Sequence, residues 1–136
     1  MKILFLCKGN TARSTFAEAL YKKLIATDDV MSAGVKLSGQ SQTLESRLPD
    51  TENVIEAMRE EDVDVSGYVR KEVTQRMADN ADMIIDMSPQ EITPIFVKNH
   101  PNRIVWDVSD PKGEDFGFHI KVKEEIKRRL REMFLD

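Results

Sequence analysis

The chain has 136 residues, with 20 Lys+Arg against 24 Asp+Glu, two His and one Cys. That length fits a single domain over 1–136, able to bury roughly two thirds of its unfolded surface without a disulfide or metal staple. One cysteine excludes an internal disulfide, no Cys/His cluster has zinc-site spacing, and a net charge of −4 gives no general attraction to nucleic acid or anionic lipid.

No apolar run approaches the ~20 residues of a membrane span. Met1-Lys2 leads straight into a strand-like run instead of a signal peptide, so a cytoplasmic location is expected. Neither a cofactor nor a metal is expected. In chain order, Lys2–Cys7 is a short apolar run of the kind buried on both faces of a parallel sheet. Lys8-Gly9-Asn10-Thr11 is turn-like. Phe16, Leu20 and Leu24 then recur every four residues, predicting an amphipathic helix of roughly fifteen residues. Val30–Ala33, ending at Gly34, reads as a second strand. Val35–Pro49 is polar, contains Gly39 and no aromatic, and reads as a long loop of the kind that is functional or mobile.

Asp50 or Thr51 should cap a helix carrying Val54, Ile55 and Met58. A short helix is expected from about Thr74, and Ala81–Ile85 is a third strand. Ser88-Pro89-Gln90-Glu91 has the composition of a helix start, with Ser as cap, which Pro94 should shorten or kink. Arg103–Trp106 is a fourth strand and Asp107–Gly113 a loop. In the last helix Val122, Ile126, Leu130, Met133 and Phe134 form one stripe, with Glu124/Arg128 and Glu125/Arg129 pairs on the solvent side. Strand and helix alternate throughout, which implies a parallel sheet with helices on both faces.

In such sheets ligands bind beyond the carboxyl ends of the strands. Here that place holds Cys7-Lys8-Gly9-Asn10-Thr11-Ala12-Arg13-Ser14. Successive backbone N–H groups in this loop can converge on an anion, reinforced by the helix N-terminus. Gly9 and Asn10 are the types that most readily accept a left-handed backbone. Arg13 offers a planar fork for two phosphate oxygens, and the Ser14 hydroxyl can hydrogen-bond a thiolate. A thiol at a helix N-terminus beside Lys and Arg is expected as the thiolate, an in-line nucleophile toward a cradled phosphoryl group. Walker-type nucleotide binding does not fit, because no Gly-Lys-Ser/Thr closes the loop. An acid for the leaving oxygen is supplied by Asp110, which Pro111 restrains; burial or a neighbouring anion would keep it protonated. Asp107 and Asp115 are reserve candidates. His100 and His119 lack metal-spaced partners and are assigned to the surface, Trp106 to the core, and Tyr68 to the mouth of the site.

The stretches CKGNTARS, Ser32-Ala33-Gly34, Val65-Ser66-Gly67, Ala81–Ile85 and Asp110-Pro111 together resemble the low-molecular-weight protein tyrosine phosphatases, whose fold the arsenate reductases share. The expected fold is thus α/β, with a four-stranded parallel sheet of order 2-1-3-4 and a phosphate-binding loop after strand 1. The resemblance implies that Cys7 forms a phosphocysteine, Arg13 binds the phosphoryl group, and Asp110 acts as acid and then base. It gives Asn10 the shape of the loop and Ser14 the thiolate, with Lys8, Gly9, Asn10, Thr11, Ala12, Arg13 and Ser14 binding phosphate.

Some positions depart from that family. Ala12 stands where many relatives carry a second Cys, and Lys112 and Gly113 follow Asp-Pro where aromatics usually wall a tyrosine ring. Thr11 replaces a bulky aliphatic and resembles the branch acting on phosphoarginine. The expected activity is hydrolysis of a phosphorylated protein or small phosphomonoester, of phosphotyrosine type, by a monomer or weak dimer acting on neither nucleic acid nor membrane. The alternatives are a phosphoarginine phosphatase, a non-hydrolytic phosphoryl carrier or anion-binding module, and an arsenate reductase. With one cysteine, the last would need an external small thiol or glutaredoxin.

Overall fold

The computed structural model describes residues 1–37 and 41–135. Its sheet has four parallel strands in the order β2-β1-β3-β4, as the sequence predicts. These are β1 (Ile3–Cys7), β2 (Val30–Gly34), β3 (Met83–Asp86) and β4 (Arg103–Val105). Every residue of β1 is buried, because this strand is central and covered on both faces. Its side chains alternate. Ile3, Phe5 and Cys7 join one core with Phe16, Leu20, Met58, Ile126 and Leu130, while Leu4 and Leu6 join a second with Ala33, Ile84 and Val97.

The first core is roofed by α1 (Arg13–Ile25), α2 (Glu52–Arg59) and α5 (Phe116–Phe134), and the second lies under α3 (Gln75–Asn80) and α4 (Ile95–Lys98). A buried cation joins α5 to α2, with Lys123 Nζ 2.9 Å from Glu61 Oε2 and 3.2 Å from the Ala57 carbonyl. Burial pushes the Glu61 carboxyl up, but hydrogen bonds from Lys127 and Lys123 outweigh it and hold the group below the usual carboxylate range. Among the described residues no helix is long and apolar enough to cross a membrane.

Several local expectations are corrected. Ser88 does not cap a helix: its hydroxyl and backbone N–H both donate to Asp86 Oδ1, at 2.5 and 2.9 Å. Only a single 3-10 turn, Gln90–Ile92, follows, and Pro94 divides it from α4 instead of kinking one helix. The hydroxyl of Thr51 is likewise committed, donating to the Leu44 carbonyl at 2.6 Å, so α2 has no side-chain cap. Arg128 pairs with Glu132, not Glu124, while Glu125 and Arg129 pair as expected. The strand expected to end at Trp106 stops at Val105, and Trp106 is buried in the core. The long loop contributes a 3-10 turn, Glu45–Arg47, and plants Leu44 in the core; Gly39 lies outside the described residues.

Candidate active site

The carboxyl end of β1 and its loop, the segments after β2 and β4, and residues of α2 and α5 surround one cleft of about 630 Å³. Cys7, Lys8, Gly9, Thr11, Ala12, Arg13 and Asp110 all line it. Cys7 ends β1 and is buried, paired in register with Gly34 of β2. The loop that follows is pressed against Gly34: a Cβ there would lie 2.7 Å from the Lys8 carbonyl oxygen and 2.8 Å from the Asn10 nitrogen. Only glycine lets the two segments approach so closely.

The loop turns at Asn10, whose φ is 53°. Gly9, expected to share the left-handed conformation, does not adopt it. Asparagine suits that region because its short amide can satisfy local groups. Here its Oδ1 accepts from the Lys71 N–H at 3.0 Å, and its Nδ2 donates to Ser14 Oγ at 2.8 Å and Ser32 Oγ at 3.0 Å. Ser32 Oγ in turn donates to Glu18 Oε1 at 2.5 Å, and Glu18 Oε2 lies 2.8 Å from Lys22 Nζ. Ser14 Oγ therefore receives a hydrogen from Asn10 and lies within hydrogen-bonding distance of Cys7 Sγ, 3.0 Å away.

Helix α1 begins directly behind the loop, and Ala12 at its N-cap provides no side-chain hydrogen bond. The first-turn N–H groups are thus left without a side-chain cap, at the end of a helix that attracts anions. Arg13, at the first position, is 6% exposed. Its Nη1 donates to the carbonyls of Met87 and Val108, at 2.8 and 3.1 Å, which fixes the guanidinium between the ends of β3 and β4. Among the described residues Arg13 Nε is buried without a partner. An unmet buried N–H costs about 1–3 kcal/mol, so its retention points to an acceptor supplied from the cleft.

Asp110 faces Arg13 across the cleft, with Oδ2 3.6 Å from Nη2. Its side chain is 44% exposed, and Oδ1 accepts from the Lys112 N–H at 3.0 Å. The burial expected of this carboxyl is absent. The reserve candidates lie elsewhere. Asp107 is exposed outside the cleft, and Asp115 caps α5 by accepting from Phe118 N–H at 2.8 Å.

Two assignments from sequence are overturned. Tyr68 packs against the core with Lys22 Nζ 5.1 Å from its ring centroid, and does not line the cleft. His119 is not on the surface but 5% exposed and in the cleft wall, its Nδ1 2.8 Å from the Asp115 carbonyl oxygen.

Sequence reasoning missed Arg70 altogether. It is 2% exposed, its Nε donates to the Gly9 carbonyl at 3.1 Å, and it lines the cleft beside Arg47 and Lys36. Burial, and then the charge of Arg47, push its guanidinium below the ordinary value, while Cys7 acts in the opposite sense. A lone Arg in an unpatterned segment carries no local signal of this position. Among the described residues no group of His, Cys, Asp and Glu is placed to hold a metal ion.

Known proteins share this arrangement of strands and loop. The family model for low molecular weight phosphotyrosine protein phosphatase matches residues 2–136. Arsenate reductase 1 of Bacillus cereus (strain ATCC 10987 / NRS 248) is 30% identical over 132 residues, covering 95% of this chain and 90% of that protein. Among solved structures, a mutant of YwlE arginine phosphatase with a phosphorylated active site serine superposes with a TM-score of 0.80 at 26% identity, covering 98% of this chain and 93% of the other. The solution structure of a low molecular weight protein tyrosine phosphatase from Bacillus subtilis gives 0.76 at 26% identity, covering 98% and 94%. The chain belongs to the low molecular weight phosphotyrosine protein phosphatase family.

Proposed function

We propose that residues 1–136 form one catalytic unit that hydrolyses a phosphorylated substrate through a phosphocysteine. The observation that carries this reading is the buried Nε of Arg13, unpartnered among the described residues, beside a thiol 3.0 Å from Ser14 Oγ. Uncapped N–H groups of α1 and the Arg13 fork would hold the phosphoryl oxygens, with Asn10 fixing the loop's turn. Cys7 Sγ attacks phosphorus as the bond to the leaving oxygen breaks, and Asp110 gives that oxygen its proton. Asp110 then takes a proton from the water that attacks the phosphocysteine, releasing phosphate and regenerating the thiolate.

A phosphorylated protein is the substrate class favoured here. No Phe, Tyr or Trp lines the cleft among the described residues, which separates it from a site built around a phosphotyrosine ring. Thr11 on the cleft wall and the likeness to YwlE arginine phosphatase favour including phosphoarginine. The test is turnover of para-nitrophenyl phosphate at about pH 5–7, where a bell-shaped profile is expected, together with its loss in Cys7→Ser. Wild-type protein without turnover sinks the proposal.

The likeness to arsenate reductases favours a second reading. Cys7 is the chain's only cysteine, so reduction of arsenate to arsenite would draw on Cys7 and an external thiol, whose joining as a disulfide releases the two electrons. Arsenate-dependent oxidation of glutathione or glutaredoxin is the outcome this reading requires.

A further inference from the structure

The cleft has more room than a phosphoryl group needs, and its two sides differ in charge. On the β2 side, Lys8, Lys36, Arg47 and Arg70 line it, with Asp50 as the acidic residue. On the β4 side stand Asp110 and Glu114, with Lys112 between them. Lys36 and Lys8 are held together because the Lys36 N–H donates to the Lys8 carbonyl at 2.9 Å. Arg70 is 2% exposed yet reaches the open cleft, and its Nε supports the phosphate loop through Gly9. Arg47 and Arg70 both line the cleft, and burial first, then the charge of Arg47, push the Arg70 guanidinium below its ordinary value. Basic side chains therefore outnumber acidic ones on that wall, which favours an anion locally in a protein of net charge −4.

We propose that this wall, with Arg47 and Lys36 at its accessible rim, is a second anion subsite, and that the substrate carries a further negative charge on its non-reacting part. The proposal rests on the phosphatase reading for the reaction but not for the binding. The required chemistry is a phosphate with a carboxylate or second phosphate within reach of the cleft. It occurs in phosphopeptides with Glu beside the phosphorylated residue and in small bisphosphates.

The experiment compares matched pairs that differ only in the second charge: Glu-flanked against Gln-flanked phosphopeptide, and hexose bisphosphate against hexose monophosphate. Binding to the full chain bearing Cys7→Ser is measured by titration calorimetry, and kcat/KM is measured on wild-type protein. The charged member of at least one pair is expected to be favoured about tenfold, by KM more than kcat, with the preference shrinking as salt rises. Adding Arg47→Gln and Lys36→Gln together should reduce that preference to about twofold. A preference confined to the peptides or to the sugars names the source.

Equal binding within both pairs, no binding by any member, or a preference unchanged by the double substitution overturns the subsite. If the charged member binds more tightly but no phosphate ester is hydrolysed, the subsite stands and the phosphatase reading falls. If para-nitrophenyl phosphate is hydrolysed while both pairs bind equally, the reverse holds.

Discussion

The loop after β1 and the segment after β4 meet across one cleft but are built differently. In the first, Asn10, Ser14, Ser32 and Glu18 form a buried chain of hydrogen bonds, and Gly34 packs against the loop backbone. In the second, Asp110 is half-exposed and, among the described residues, tied only to the Lys112 N–H and, at 3.6 Å, to Arg13. The half that would hold the anion in the proposed reaction is rigidly tied, whereas the half that would handle the proton stays open to solvent. Electrostatic preorganisation of this kind acts on charge developing in the transition state, and a proton donor only has to reach the leaving oxygen.

The contrast predicts that changes in the first region alter both chemistry and folding, while changes in the second alter chemistry alone. Cys7→Ser should have the largest effect, lowering kcat for para-nitrophenyl phosphate by at least about 10⁴-fold. Arg13→Lys keeps the charge but loses the fork and its ties to Met87 and Val108; steady-state kinetics should show a fall of about 10²–10³-fold, with a lower Tm. Asp110→Asn should reduce kcat about 10²-fold on a substrate with a poor leaving group, less on para-nitrophenyl phosphate, with an unchanged thermal melt. A melt lowered as much as in Arg13→Lys would remove the distinction between the two regions.

The smallest expected effect sharpens the comparison from the folding side. Gly34→Ala adds one methyl against the cradle backbone, which should cost about 1–3 kcal/mol and lower Tm by roughly 3–10 °C. Activity should fall with it, because the displaced atoms belong to Lys8, Gly9 and Asn10. A variant that melts early but retains full kcat/KM would show that Gly34 supports the sheet and not the site.

How much of this was legible in the sequence follows from how local each feature is. Cys7 and Arg13 lie in one short segment between an apolar run and a periodic helix, so their spacing alone indicates an anion cradle. Asp110 was legible because proline follows it at the end of a strand-loop unit. Arg70 reaches Gly9 from 61 residues further along, through a pairing of segments that no periodicity announces. His119 begins a helix whose apolar stripe says nothing of which turn opens on the cleft. Ser88 and Thr51 show the opposite error. Each has the composition of a helix cap, and tertiary acceptors, Asp86 and the Leu44 carbonyl, took the hydroxyl instead.

The solitary thiol at the foot of the cradle also makes the protein its own calibrant. Because Cys7 is the only cysteine in this chain and is reached through the cleft, any thiol reagent that enters the folded molecule modifies that one position. The fraction of native protein labelled counts intact, reduced cradles without reference to a substrate. Rates can therefore be expressed per working site even in preparations where some molecules have been oxidised.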